Sequence, residues 1–151
     1  MLVIRPNHVS KYIDLNAALK AWADENEIED FAEVGEYKGI SLEIKQVSKE
    51  VFLESMAMAR SAGDGPKAEV EIYRAMGMLV QHGLQSLNGI EDEDGPIQIK
   101  CENGKIEEDD LNLLHDNGLI LDLWRVVRNY NELGAEEKKR FGAQQPPTSP
   151  N

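Results

Sequence analysis

A long stretch of helical periodicity limits what this chain can fold into more than any other feature. Between Lys67 and Asn88, apolar side chains recur at steps of three and four over about five turns, which places them on one face of a helix. The members of this stripe are Val70, Tyr73, Met76, Val80, Leu84 and Leu87. The sequence therefore predicts an amphipathic α-helix from about residue 67 to residue 88, ending at Asn88-Gly89.

Three further elements are predicted before this helix. One helix lies near residues 15–26 with Asp14 as its N-cap, and a second lies at 49–62 with Ser48 in the same role. Between them, apolar and polar side chains alternate on the far side of two glycines, as is typical of a strand. The apolar members of that alternation are Ile40, Leu42 and Ile44. We therefore expect an antiparallel β-hairpin near residues 31–47, or at least one strand there.

The stretch "NGIEDEDGPIQI" (88–99) puts four consecutive acids in front of a Gly-Pro pair. Such a run can hold a metal ion, attract a basic partner or form a hydrated turn between two helices. A calcium loop aligned on Gly95 would need ligands at Ile90 and Cys101, and neither residue supplies one. The run is therefore interpreted as a hydrated turn between two helices.

The chain after this turn is also predicted to be largely helical. A short extended segment at 97–100 leads to four acids at 107–110, in the first turn of a helix, where the helix dipole favours them. That helix ends at Asn117-Gly118, and an amphipathic helix follows at 119–133. One more short helical turn is expected after Gly134.

These elements together predict a mainly α fold. Residues 1–143 form a single compact helical domain that carries the small hairpin, with an α+β fold as the alternative class. Residues 144–151, "QQPPTSPN", are polar and proline-rich, and they predict a disordered tail.

The charge balance indicates which partners the chain can have. Twenty-eight acids oppose sixteen bases, which gives a formal net charge of -12. Because such a surface repels phosphate backbones and anionic membranes, we expect no direct contact with nucleic acid or membrane. Solubility, association with another protein and imitation of nucleic acid remain as uses of the charge. The single cysteine, Cys101, and the lack of a signal-peptide pattern in the first residues predict a cytoplasmic protein.

No catalytic, metal-binding or cofactor-binding pattern emerges from the sequence. His8, His82 and His115 are scattered, without the spacing of a zinc-binding helix. Residues 63–67, "GDGPK", lack the ending of a phosphate-binding loop. The sequence therefore predicts a protein without a cofactor that is not an enzyme.

Methionines and one helix face supply the candidate partner-binding residues. Methionine is flexible and polarizable, so it serves surfaces that accept varied apolar ligands, although at helical spacing it is more often core. We expect contacts on the helices at 49–62 and 119–133. The candidates are Met56, Met58, Met78, Leu123, Trp124, Val127 and Tyr130. Met58 and Met78 lie off the main apolar stripes and are expected to be the more exposed of the methionines.

The second half also has a characteristic order of parts. Its pieces are "EVEIYRAMGMLVQHGLQSL", "IEDEDGPI", "EEDDLNLLHDNG", "LILDLWRVVRNYNEL" and "GAEEKKRFGAQQ". This order of a long helix, an acidic turn, an acid-started helix and a last helix resembles the tail assembly chaperones of long-tailed bacteriophages. The resemblance covers roughly residues 67–144, and it concerns element order and composition.

The resemblance implies a non-enzymatic role in the host cytoplasm. Members of that family bind the tape measure protein, keep it soluble and help tail-tube protein subunits assemble around it. A longer form made by ribosomal frameshifting is often present, and Lys138-Lys139 mark a place for such slippage. The sequence leaves open whether the chain forms a homo-oligomer.

A second function from a different class also fits the composition. Glu91 to Asp94 and Glu107 to Asp110 could imitate nucleic acid in front of a basic DNA-binding protein. This alternative predicts acids spaced like phosphates along one continuous face, whereas a chaperone predicts charge distributed around the molecule.

Overall fold

The computed structural model describes the backbone of residues 12–144 and the side chains of residues 12–132. Along these residues lie five strands, five α-helices and one short 3-10 turn. Their order is β1 (Ile13–Asp14), α1 (Leu15–Glu25), the 3-10 turn (Gly35–Tyr37), β2 (Ser41–Ile44), α2 (Lys49–Arg60), α3 (Pro66–Gly83), β3 (Leu84–Asp92), β4 (Gly95–Glu102), β5 (Lys105–Ile106), α4 (Glu108–Asp116) and α5 (Ile120–Gln144).

The strands form one antiparallel sheet in the order β1-β2-β3-β4-β5. Among the described residues the fold class is therefore α+β, and the prediction of a mainly α fold is wrong. The hydrophobic core lies between this sheet and the helices α1, α3, α4 and α5. The prediction of a disordered tail at 144–151 concerns residues outside those described, except for Gln144, which ends α5.

Two helices before α3 have the bounds and caps that the sequence predicts. The Asp14 carboxylate accepts a hydrogen bond from the backbone N–H of Ala17 at 3.0 Å, and α1 begins at the next residue after this cap. The Ser48 hydroxyl accepts one from the backbone N–H of Val51 at 3.2 Å and caps α2. A side chain that satisfies a free amide at a helix start fixes that start locally, so both predictions are confirmed.

The predicted hairpin near residues 31–47 is wrong, although β2 lies within it. The partners of β2 are β1 and β3, which come from distant parts of the chain. In the segment before β2, the Asn16 side chain takes up the backbone hydrogen bonds of Val34 that a partner strand would otherwise make. Its amide nitrogen donates to the Val34 carbonyl at 3.2 Å, and its amide oxygen accepts from the Val34 N–H at 3.1 Å.

The predicted helix at 67–88 ends five residues early, at Gly83. Leu84 adopts extended backbone angles and pairs with Ile44 of β2, so the end of the apolar stripe belongs to a strand. Helix α5 approaches closely at this junction. A Cβ on Gly83 would lie 2.3 Å from a methyl group of Val127, so this position accepts only glycine without rearrangement.

The Asn88-Gly89 pair forms a bulge inside β3, where the sequence predicted the end of a helix. The register of β3 against β4 shifts between Leu87 and Ile90, as a bulge requires. Gly89 has a φ of +93°, and a Cβ there would lie 2.2 Å from the carbonyl oxygen of Gly39. Glycine is therefore needed both for the backbone angle and for the close approach of the two strands.

The four-acid run belongs to the tip of the β3–β4 hairpin. Glu91 and Asp92 end β3, and the two-residue turn of Glu93 and Asp94 returns the chain to β4. The Asp92 carboxylate accepts a hydrogen bond from the backbone N–H of Asp94 at 2.8 Å. The acids do occupy an exposed turn, but it joins two strands and not the two helices that the sequence predicted.

The last two helices begin close to their predicted starts, and α4 also ends where the sequence predicts, whereas α5 is longer than predicted. Helix α4 has acids in its first turn, and the side-chain amide of Asn117 donates to the Leu113 carbonyl at its end. Helix α5 begins at Ile120 and continues to Gln144, so the predicted interruption at Gly134 is absent from its described backbone.

Candidate partner-binding groove

An apolar groove of about 280 Å³ lies between α2 and α5, with α3 beneath it. Helix α2 contributes Met56 and Ala59 to one wall, and α5 contributes Trp124 to the other. The floor consists of Ile72 and Met76 of α3, which follow each other at one helical turn. We call this feature the α2–α3–α5 groove.

A buried hydrogen bond brings α2 close to α3 along the groove. Ser55 is the one residue of α2 that is fully buried, and its hydroxyl donates to the Ala75 carbonyl at 2.8 Å. Both residues at this contact have small side chains, so the two helix backbones can approach each other. The pairing fixes the α2 wall relative to the α3 floor.

The α5 wall of the groove has a fixed aromatic ring. The Arg128 guanidinium lies 5.1 Å from the centroid of the Trp124 ring, and its Nε donates to the Glu132 carboxylate at 2.7 Å. A guanidinium over an indole face is attracted to the ring electrostatically. These contacts hold the indole at the mouth of the groove, where one side stays half-exposed.

Two arginines line this groove in a chain whose formal net charge is -12. Arg60 lies at the end of α2 and is exposed, and Arg128 lies on the α5 side. No Asp or Glu contributes to the lining, and of its two cations Arg128 is paired with Glu132 while Arg60 is exposed. A partner segment with an apolar stripe flanked by acids would complement the apolar lining and the arginines.

Two of the seven predicted partner-binding residues line the groove, namely Met56 and Trp124. Leu123 and Val127, with 0% exposure, belong to the core, where a partner cannot reach them while the fold is intact. Met58, Met78 and Tyr130 are half-buried and lie outside the groove lining. The contact role of the set stays a prediction. Helical spacing predicts which face a residue lies on, but it does not separate the buried centre of that face from its edge.

Sequence reasoning missed several residues of the groove. Met76 was assigned to the buried stripe, yet it is half-buried and forms part of the floor. Ala59 shares the apolar face of α2 with Met56 in the sequence but was not chosen as a contact, and Ile72 lies off the predicted stripe of α3. Helix α2 is rich in apolar residues, yet Ser55 is the one residue of this helix that is buried, so its apolar side chains lie at the edge of the core.

A second exposed apolar surface lies on α3, at its N-terminal end. Val70 and Tyr73 are 55% and 43% exposed, although they start the predicted stripe. With Pro66 and the ring of His115 they line a shallow depression of about 420 Å³. Leu53 of α2 is also exposed. The apolar face of α3 is therefore covered only over its C-terminal half.

The acidic hairpin tip borders a different cavity, of about 540 Å³. Glu91, Asp92 and Glu93 line it together with Glu36, and its apolar lining includes Ile97. The first three acids of the run therefore border the same cavity, whereas Asp94 does not contribute to its lining. Within residues 12–132, no three His, Cys, Asp or Glu side chains come together as metal ligands.

Comparisons with known proteins identify no relative of this chain. No helix in the described part of the chain combines the length and the apolar character that crossing a membrane requires. No protein-family model, no curated protein and no solved structure matches the chain.

Proposed function

We propose that this protein binds a helical segment of another polypeptide in the α2–α3–α5 groove and thereby prevents that segment from aggregating. The observation that carries the proposal is the groove itself, which combines an apolar floor, a half-exposed indole and two arginines. An amphipathic helix laid into such a groove buries its apolar stripe, and its acidic flanks meet Arg60 and Arg128. The acidic remainder of the surface keeps the complex dispersed.

The partner in this proposal is the tape measure protein of a long-tailed bacteriophage, bound in the host cytoplasm before the tail tube encloses it. Support comes from the resemblance of residues 67–144 to tail assembly chaperones; the helices of that pattern are α3, α4 and α5 here, whereas its acidic turn between helices is the tip of the β3–β4 hairpin. A long helical tape measure chain exposes apolar stripes until tail-tube subunits cover it. The chaperone covers those stripes and performs no reaction.

Co-expression with the tape measure gene of the same gene neighbourhood tests the proposal. The fraction of tape measure protein in the soluble lysate is measured with and without this chain. We expect a clear increase when the chain is present, because the exposed apolar stripes are then covered. An unchanged soluble fraction would contradict the proposal.

A matched pair of variants on α2 tests the groove. Met56→Glu puts a carboxylate into the groove, whereas Met58→Glu puts the same group on the same helix outside it. We expect Met56→Glu to lose the solubilising effect, because the carboxylate would have to be buried under the partner, and Met58→Glu to retain it. The pair is matched because both positions are half-buried. Circular dichroism of both purified variants controls for folding. If both variants fold and lose the solubilising effect equally, the partner does not bind specifically in the groove.

The nucleic-acid mimic receives less support from the positions of the acids. The runs at 91–94 and 107–110 lie at opposite ends of β4, whose eight residues separate them by on the order of 25 Å. Lys100 and Lys105 lie along the way. A salt-dependent complex with a basic DNA-binding protein, measured at several ionic strengths, would favour the mimic over the chaperone.

A further inference from the structure

A buried lysine lies against the one cysteine of the chain. Lys45, directly after β2, is 9% exposed, and its ammonium donates to the Cys101 sulfur on β4 at 2.9 Å. A second hydrogen bond joins the same ammonium to the Gly104 carbonyl at 2.8 Å. No described Asp or Glu forms an ion pair with this ammonium, so its charge is buried without a carboxylate.

This is an uncommon environment for a lysine ammonium. A buried charge normally has an ionic partner or a metal ion, and Lys45 has only a sulfur and one carbonyl. Burial lowers the pKa of the nearby His82, and the positive charges of Lys105 and Lys45 lower it further, while Glu54 acts in the opposite direction. Reactive cysteines commonly lie next to such cationic groups.

We propose that Lys45 and Cys101 form a reversible covalent N–O–S bridge when the protein meets hydrogen peroxide. The two atoms that must be joined are already within hydrogen-bond distance, and one oxygen atom fits between them without moving either strand far. Cys101 is half-buried, so a molecule as small as peroxide can approach it. The inference is independent of the proposed function.

The first step oxidises the sulfur. The Cys101 thiolate attacks one peroxide oxygen, the O–O bond breaks, an S–O bond forms, and hydroxide leaves and is protonated to water by the solvent, giving a sulfenic acid. Lys45 then reacts as its neutral amine, after its proton has passed to water. A second peroxide takes the two electrons and two hydrogens from the N–H and O–H groups and becomes two waters, while the N–O bond forms.

The bridge would tie together strands that are not neighbours. Lys45 follows β2 and Cys101 lies on β4, with β3 between them in the sheet. A covalent link across β3 restricts the unfolded chain, as a disulfide does, and it should raise the thermal midpoint of the oxidised protein. Two equivalents of dithiothreitol would return the thiol, the amine and one water.

Peptide mapping of the peroxide-treated full chain tests the bridge. The expected product joins the peptides that contain Lys45 and Cys101, with a mass gain of one oxygen and a loss of two hydrogens. It disappears after dithiothreitol, and the raised thermal midpoint returns to its starting value. A native chain whose Cys101 becomes sulfinic acid, remains unoxidised, or bonds nitrogen directly without the oxygen would overturn the inference.

Two lysine variants sharpen the result. Lys45→Met removes the amine while keeping an unbranched chain, and we expect loss of the linked peptide with continued oxidation of Cys101. Lys100→Met removes the exposed lysine next to the cysteine and should leave the linked peptide unchanged. A link that survives Lys45→Met or vanishes in Lys100→Met would overturn the assignment. The mapping of the native chain decides the question if Lys45→Met does not fold.

Discussion

Helix α3 has one continuous apolar period but two different environments. In the peripheral region, which we define as residues 49–74, Val70 and Tyr73 lie on the stripe and remain exposed. In the central region, residues 75–106, Leu79 and Val80 are fully buried. The difference lies in the neighbours: at the C-terminal end of α3, Val127 of α5 lies against Gly83 and β2 pairs with Leu84, whereas Val70 and Tyr73 border a shallow depression. Periodicity therefore indicates a face, and the rest of the fold determines how much of that face is covered.

The largest expected effect separates the two halves of α3 directly. Leu79→Ala leaves a cavity in the core and should lower the free energy of unfolding by about 2–5 kcal/mol. Val70→Ala removes methyl groups that already face water, and it should change that free energy by less than about 0.5 kcal/mol. Urea unfolding of both variants measures the contrast. Similar losses in the two variants would mean that the peripheral half of α3 is covered as well.

A glycine in each region gives the next contrast. Gly89→Ala, in β3, puts a Cβ against the Gly39 carbonyl at a φ of +93°. It should lower the free energy of unfolding by about 1–3 kcal/mol from backbone strain, and further from the steric clash. Gly63→Ala, between α2 and α3, has a similar strain at a φ of +73° but open space around the Cβ. It should cost about 1–2 kcal/mol.

The measurement for this pair is the midpoint of thermal unfolding. The steric contribution is the amount by which the midpoint falls further in Gly89→Ala than in Gly63→Ala. If the two midpoints fall equally, strand β3 can shift away from Gly39, and the central region is less tightly packed than its burial indicates.

The hydrogen bond between Ser55 and Ala75 joins the two regions, and its removal should have an intermediate effect on the free energy of unfolding. Ser55→Ala removes the hydrogen bond from α2 to the Ala75 carbonyl, at a cost of about 0.5–1.5 kcal/mol. Ser61→Ala removes an exposed hydrogen bond to the Met58 carbonyl on the same helix and serves as the control. Hydrogen exchange should show faster opening of α2 in Ser55→Ala, with the sheet amides unchanged. Faster exchange in the sheet as well would contradict a separable peripheral region.

The smallest expected effect depends on pH and concerns the central region. The pKa of His82 is lowered by burial first, then by Lys105 and Lys45. The unfolded histidine, with its ordinary pKa, binds more protons below about pH 6.5, so stability should fall as the pH drops through that value. The slope stays under about 1.4 kcal/mol per pH unit, which is the limit for one group. His82→Gln should flatten it in urea unfolding between about pH 5 and pH 7; an unchanged slope would assign the dependence to another residue.

Much of the helical structure was predictable because its signals are local. Asp14 and Ser48 each bond to an amide three residues away, and both helix starts followed from that. The strand content was underestimated because a period of three continues from the helix into β3 through Leu84 and Leu87. These side chains can be buried in a helix or in a strand. The strand forms because β2 and β4 lie on either side of β3 and pair with its backbone.

The candidate groove was partly predictable for a related reason. Met56 and Trp124 were chosen for their chemistry and do line one groove, although they are far apart in sequence. Leu123 and Val127 lie next to Trp124 in the chain but reach the core. No pattern along α5 could place the boundary between its buried and half-buried positions, because that boundary depends on where α3 crosses it.

The sequence by itself determined the helix starts, the turn residues, the surplus of negative charge and the apolar face of each helix. These follow from contacts between residues a few positions apart and from composition. Only the tertiary structure decided that residues 84–92 are a strand, that the peripheral half of α3 is exposed, and that Lys45 lies on Cys101. Each of these depends on hydrogen bonds or packing between distant segments, whose free energy exceeds the small local preferences that a sequence displays.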